Sequence, residues 1–401
     1  MMEGVLFEWF SLILRLFHVV AAIAWIGASF YFIWLDLSLK PVDRNKSENG
    51  ISGEVWSIHG GGIYEVGKYR LAPPEMPTTL HWFKWEAYTT WLTGTALLIV
   101  LFYFQAQTYL LGPDSPITHP SVAIIASVLY LVAGLGTYEL LTRLPFSHRA
   151  KVFSVFMAIF VAGFSLIAFW LFSPRAAAIH LGAMLGTIMA ANVFLTIIPS
   201  QKSLVAAIEN NSEPPSEGAI KAKLRSTHNN YLTIPVLICM LSNHAPLIYL
   251  HDHAWIILAL LCFIGAWVRV FFNSKHAGHI RLEIPAMATL ALFSVIFIAW
   301  LTDGRGIQLD VPKTDTGDEA LSLDVSSIVQ EHCVACHATN PTYPGFSQPP
   351  AGFVFNNKTE LLAVRGSAVS SLSSYYMPLG NVTEMTIEER NTLKEWLSTP
   401  D

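Results

Sequence analysis

The chain has 401 residues, 53% of them hydrophobic and only 13% charged, with a mean hydropathy of +0.45, which excludes an ordinary soluble protein and makes membrane lipid its main surroundings. Its formal net charge is -5. Neither that balance nor any motif points to nucleic acid as a partner.

Crossing a bilayer takes about 20 apolar residues, and eight stretches qualify: roughly 9–35, 87–106, 121–142, 152–172, 176–198, 231–250, 254–273 and 283–301. The predicted fold class is all-α: an eight-helix transmembrane bundle over residues 1–301, a linker over 302–327, and a small class I-type cytochrome c domain over 328–401. Lys and Arg test the count. Loops 36–86, 143–151, 199–230 and 274–282 hold fifteen of them, and the alternate loops 107–120, 173–175 and 251–253 hold one. By the positive-inside rule the first set is cytoplasmic and both termini are periplasmic, in a bacterial inner membrane. The first span is no cleavable signal, because it lacks a basic n-region and its apolar run is too long.

Polar residues within the spans are the next signal, since ionisable groups in hydrocarbon are costly and line sites or cavities. Span one places Arg15, His18, Ala22, Ile26 and Ser29 along one face. His180 opens the fifth span, and Asn243-His244 lies near the outer end of the sixth. Paired histidines are how a bundle holds a b-type haem, so His18, His180 and His244 are candidate intramembrane ligands; structural hydrogen bonding is the rival reading. His180 and His244 fall under about 10 Å from the outer boundary and His18 nearer about 14 Å. Cys239 and Cys262 read as core residues.

The inner loops are denser in polar groups. The first contains Trp56-Ser57-Ile58-His59-Gly60-Gly61-Gly62-Ile63-Tyr64, then Lys68 and His81-Trp82-Phe83-Lys84-Trp85-Glu86. Glu139 ends the third span. Thr227-His228-Asn229-Asn230-Tyr231 precedes the sixth, while Arg269 lies above Asn273, Lys275, His276, His279 and Arg281. His-Gly-Gly-Gly can form an oxyanion loop, but no G-x-S-x-G accompanies it. Three tryptophans, a glycine triplet and an amide pair suit a pocket for a flat polar anion. Arg269, Asn229 and Asn230 are the candidate clamp, and His228 or His81 the candidate base, since histidine titrates near neutral pH.

Beyond residue 301 the composition turns polar, with six basic and thirteen acidic residues. Such a surface suits a basic electron partner or simple solvation. Cys333-Val334-Ala335-Cys336-His337 is the spacing for covalent c-type haem: two thiols take the vinyl groups and His337 ligates the iron. No Cys or His follows that could complete a zinc site. Met377, in a loop before Pro378, is the expected sixth ligand, with Met385 as rival. The run Thr386–Leu397 predicts a packing helix.

These segments together make the chain similar to the membrane-anchored cytochrome c urate oxidases, or urate hydroxylases. The likeness runs through His18–Gly27, the glycine loop, His81–Glu86, His180–Gly186, His228–Tyr231, Ser242–His244 and the fused CVACH motif. The resemblance implies two-electron oxidation of urate, or a related purine, to 5-hydroxyisourate. It also implies that electrons leave through cytochrome c toward a periplasmic cytochrome or terminal oxidase, without peroxide. It assigns no catalytic residue in the membrane domain. The alternatives are a non-catalytic or quinol-oxidising respiratory subunit and a redox-gated transporter.

Overall fold

The computed structural model describes residues 2–104, 106–112, 115–210, 212–213, 215–249, 251–302, 318–343, 349–350, 353–373 and 376–399. In chain order, α1 (Met2–Ser38) and α2 (Arg44–Glu48) precede strands β1 (Ile51–His59) and β2 (Gly62–Tyr69). Then come α3 (Trp85–Leu98), α4 (Ala106–Tyr109), α5 (Pro120–Arg143), α6 (Ala150–Leu171), α7 (Pro174–Ala191), α8 (Ile198–Glu209) and α9 (Ser216–Leu241). After them follow α10 (Pro246–Tyr249), α11 (Ala254–His276) and α12 (Glu283–Thr302). The C-terminal segment holds α13 (Asp318–His332), α14 (Val334–His337), α15 (Lys358–Ala363), α16 (Arg365–Ser373) and α17 (Ile387–Ser398).

Among the described residues six helices, not the expected eight, are long and apolar enough to cross a membrane: Trp9–Ser38, Pro120–Arg143, Ala150–Leu171, Pro174–Glu209, Ala254–His276 and Glu283–Thr302. The expected spans at 87–106 and 231–250 correct for identifiable reasons. The first carries Glu86, Thr89, Thr90, Thr93 and Thr95 in its α-helical part, so its apolar run is short before it continues as the π-helical turn Ile99–Tyr103. The second belongs to α9, whose first half carries Glu217, Lys221, Lys223 and Arg225, so its apolar part is short and ends at Leu241. Both still pack into the bundle, α3 against α1 and α9 against α7 and α11.

The centre of the bundle is α7, which buries Ala176, Ala177, Ala178, Leu181, Met184, Leu185 and Ile188. Ser173 caps it by accepting from the Ala176 N–H, and Pro174 supplies a preset first turn. With little hydrophobic drive between helices in lipid, small residues let backbones approach. A Cβ on Gly182 would come 2.7 Å from the Cβ of Cys239 on α9, so glycine sets that crossing. The buried thiols of Cys239 and Cys262 lie 3.8 Å apart and free.

The all-α expectation is corrected by the first loop, where β1 and β2 form an antiparallel hairpin. Gly60 and Gly61 both have positive φ, 57° and 81°, as a two-residue turn matching strand twist requires. The glycine triplet is therefore turn chemistry. Asp36 at the end of α1 pairs with Lys68 of β2 and with Lys223 of α9, tying the hairpin to this end of the bundle.

The expected linker, 302–327, falls largely outside the described residues, and from Asp318 it is already helix. Val325, Ile328, Leu361, Leu372, Met385, Leu393 and Leu397 form a separate core. A reciprocal capping box of Thr386 and Glu389 starts α17. The loop of this segment is not free of the bundle: Tyr376 packs against the main membrane core, and Leu379–Asn381 contacts α4.

Candidate functional site

Where α1, α5, α9 and α11 approach the Arg- and Lys-rich end, α9 presents His228, Asn229 and Asn230 in sequence. Consecutive helical residues point about 100° apart, and these three reach different neighbours. Asn229 donates to the Met189 carbonyl (3.0 Å) and accepts from Asn192 (2.8 Å). Asn192, at the start of a π-helical turn following α7, also donates to the Tyr138 hydroxyl (3.0 Å). Arg225 grips both carboxylate oxygens of Glu139 at 2.8 Å and donates to Asn192 and Thr142 at 3.0 and 2.7 Å. His228 Nδ1 bonds the Tyr138 hydroxyl at 2.8 Å, and its ring stacks on Phe153 at 4.5 Å. This first network satisfies the amides of both Asn229 and Asn192 and locks α5, α7 and α9 together.

The second network is open. Asn230 is fully buried, and its Oδ1 accepts from Arg269 Nε (3.1 Å) and Asn273 Nδ2 (2.9 Å). The Arg269 guanidinium lies over the Phe30 ring of α1 at 3.7 Å. Asn230 Nδ2, Arg269 Nη2, Asn273 Oδ1 and His276 Nδ1 are all buried without a hydrogen-bond partner. A native fold seldom leaves such atoms unpaired, at about 1–3 kcal/mol each, so these four make this network the strongest candidate for pairing with a polar ligand. Arg269, Asn273 and His276 share one face of α11 by their spacing of four and three. Sequence reasoning named Asn273 and His276 among the polar residues near Arg269 without giving them a role, although their spacing was visible, and it did not name Phe30. A cleft of about 260 Å³ lies elsewhere, lined by α8 and α9 residues including Ser200, Leu204 and Lys223, and includes no member of either network.

His81 stands outside both networks. It is exposed, meets Phe83 edge-on and comes within 3.9 Å of Glu86. Of the three candidate haem-binding histidines, two have partners of their own. His18 Nδ1 lies 3.1 Å from the Thr90 carbonyl and from the Thr93 hydroxyl. His180 spends both nitrogens, on Ser127 (2.6 Å) and on the Ala176 carbonyl (2.7 Å), with Phe172 stacked on its ring. His244 sits exposed in a short turn before α10. As arranged, His180 has no nitrogen left for iron.

In the C-terminal segment, Cys333 and Cys336 are free, Cys333 just before α14 and Cys336 within it, and His337 at its end is buried. Burial pushes the Cys333 thiol up to about 12 and draws His337 below its usual value, the Phe353 carbonyl opposing that shift. His337 Nδ1 donates to that carbonyl at 2.9 Å. The bond fixes the tautomer and leaves Nε2 for iron. Of the two methionines, Met385 is a core residue whereas Met377 is half-buried and outside the core. Arg390 of α17 holds its loop by donating to the carbonyls of Leu372 and Met377. These residues fit a covalently bound haem. Glu331, His332 and Glu389 also bring ligand atoms within 4.8 Å of one another; His332 Nε2 lies 3.5 Å from Glu389, an arrangement an ion pair explains.

Residues 4–300 match the family described as urate oxidase N-terminal. The chain belongs to that family. No curated protein and no solved structure matches it. Both polar networks thus lie within the urate oxidase N-terminal region, and the CxxCH segment lies beyond it. Membership indicates an oxidoreductase related to urate oxidation, and the six apolar helices are compatible with a multi-pass membrane protein.

Proposed function

We propose that the urate oxidase N-terminal region binds urate at the open network around Arg269 and oxidises it to 5-hydroxyisourate, with the C-terminal segment acting as a fused c-type cytochrome. The observation that carries the site is the set of four buried, unpartnered polar atoms beside one guanidinium, in a member of this family. Water adds at C5 of urate while two electrons and two protons leave. Arg269 and Asn230 clamp the anion through charge-assisted and amide hydrogen bonds. His276, adjacent to Arg269 on α11, is better placed than His228 or His81 to take a proton, because His228 Nδ1 is bound to Tyr138 and His81 is exposed. Asn229, satisfied by Met189 and Asn192, holds α9 in register instead of touching substrate.

Cys333, Cys336, His337 and Met377 would hold a c-type haem, which would supply one-electron acceptance and delivery to a soluble cytochrome or terminal oxidase. Lys68 and Lys223 on Asp36 and Arg225 on Glu139 gather at the end of the bundle that holds the polar site, and this supports a bacterial inner-membrane location with that end cytoplasmic and both termini periplasmic. The test is anaerobic mixing of purified, oxidised protein with urate. Reduction of the haem without oxygen, and aerobic turnover without peroxide, are expected. An unresponsive haem that a quinol reduces rapidly overturns the reading in favour of a respiratory subunit.

A further inference from the structure

Two hydrogen bonds determine how the open network can read a ligand. The oxygen and nitrogen of an amide are told apart by their partners. Asn230 must use its oxygen toward α11, since it receives Arg269 Nε and Asn273 Nδ2 there, and this leaves its NH2 as an open donor. Asn273 has spent its NH2 on that bond, so its oxygen is the open acceptor. Arg269 has spent Nε and stands pinned over Phe30, with Nη2 open. The site therefore offers two donors, one of them cationic, and one acceptor, with the His276 nitrogen beside them.

A ligand that satisfies this set needs two acceptors, preferably anionic, next to one N–H. The urate monoanion ionises at N3, so its N1–H, C2=O and N3 edge supplies a donor followed by two acceptors. We infer that Asn273 is the specificity-determining residue of the site: its Oδ1 accepts the N1–H of an oxopurine anion while Arg269 and Asn230 donate to O2 and N3. The inference rests on the urate reading and adds to it a required edge. A site built to pair a substrate N–H rejects an analogue lacking it far more strongly than one that only encloses its shape, because the buried acceptor stays unpaired.

The experiment uses the full haem-containing protein with urate, 1-methylurate and 9-methylurate. The first analogue has lost N1–H, and the second keeps the whole edge. Anaerobic haem reduction rates and equilibrium binding to the oxidised protein should both favour urate over 1-methylurate by about a hundredfold or more, with 9-methylurate close to urate. Asn273→Ala should weaken urate and 9-methylurate together and bring the preference over 1-methylurate toward unity. Asn273→Asp keeps the acceptor oxygen and should retain the preference. An unchanged preference in Asn273→Ala overturns the assignment while leaving the urate site intact. Should Asn273→Ala fail to fold, equal handling of the two methylurates by the native protein overturns it as well. If no purine binds or reduces the haem, the urate reading itself falls.

Discussion

Asn229 and Asn230 are neighbours on α9, yet Asn229 is closed by Met189 and Asn192 while Asn230 faces Arg269 and Asn273 with its NH2 unpaired. The same substitution at each should therefore give different phenotypes. Asn230→Ala should impair urate-driven haem reduction and also lower the melting temperature, since it strands the Arg269 and Asn273 donors, whereas Asn229→Ala should leave substrate affinity unchanged. Asn229→Ala should lower the melting temperature in detergent, since it strands the Asn192 amide, at about 1–3 kcal/mol. Loss of activity at unaltered stability in Asn229→Ala would place that residue in the binding site.

Arg269→Ala removes a charge-assisted contact worth about 1.5–3 kcal/mol, or roughly tenfold to a hundredfold in urate affinity. Arg269→Lys should recover little, because a lysine lacks the planar fork that bonds Asn230 while lying over Phe30. Titration of urate against haem reduction measures both.

Glu139→Gln should destabilise the bundle without altering substrate affinity. Arg225 would be left buried with half its grip. Breaking such a pair costs about 3–5 kcal/mol when fully buried, and on the order of 2–3 here because the Glu139 side chain remains 25% exposed. Thermal unfolding in detergent reads the loss.

Met377→Ala should abolish the methionine-to-iron charge-transfer band of the oxidised haem and spare substrate binding. Met385→Ala should keep the band and cost about 2–5 kcal/mol as a core truncation. The opposite pattern reassigns the ligand.

Acid should loosen α17. Hydrogen bonds from the backbone and hydroxyl of Thr386 hold the Glu389 carboxyl below the usual carboxylate range, and His332 adds to them. The folded value lies below the unfolded one, so this stabilisation is present above the ordinary carboxylate range. It is lost as pH falls through the depressed value. Glu389→Gln should flatten the acid limb of melting temperature against pH, and Thr386→Ala should cost about 1 kcal/mol.

Legibility in the sequence followed how local each signal is. Cys333, Cys336 and His337 suggest haem attachment by spacing alone, which the fold leaves as a proposal, and Arg269 stands out as a cation in an apolar helix. The eight-span count failed at 87–106 and 231–250 because both helices begin with a polar half, through Glu86 and four threonines in α3 and through Glu217, Lys221, Lys223 and Arg225 in α9, which shortens the apolar run. The hairpin was hidden by its glycines, which resemble a catalytic loop until their φ angles are known. Asn229 and Asn230 looked equivalent, since only partners distant in sequence decide which amide is spent.

The seat of Tyr376 against the main core, with Leu379–Asn381 on α4, would bear on the kinetics of the haem proposed for the adjacent Met377. A soluble acceptor must find its donor by diffusion, at a rate set by concentration and ionic strength. An acceptor already seated on the same chain has neither dependence, and electron entry becomes a first-order event of fixed geometry. Added salt should then leave the inward transfer unchanged and slow only the exit to a separate partner, for which the acidic surface of the C-terminal segment provides the steering charge.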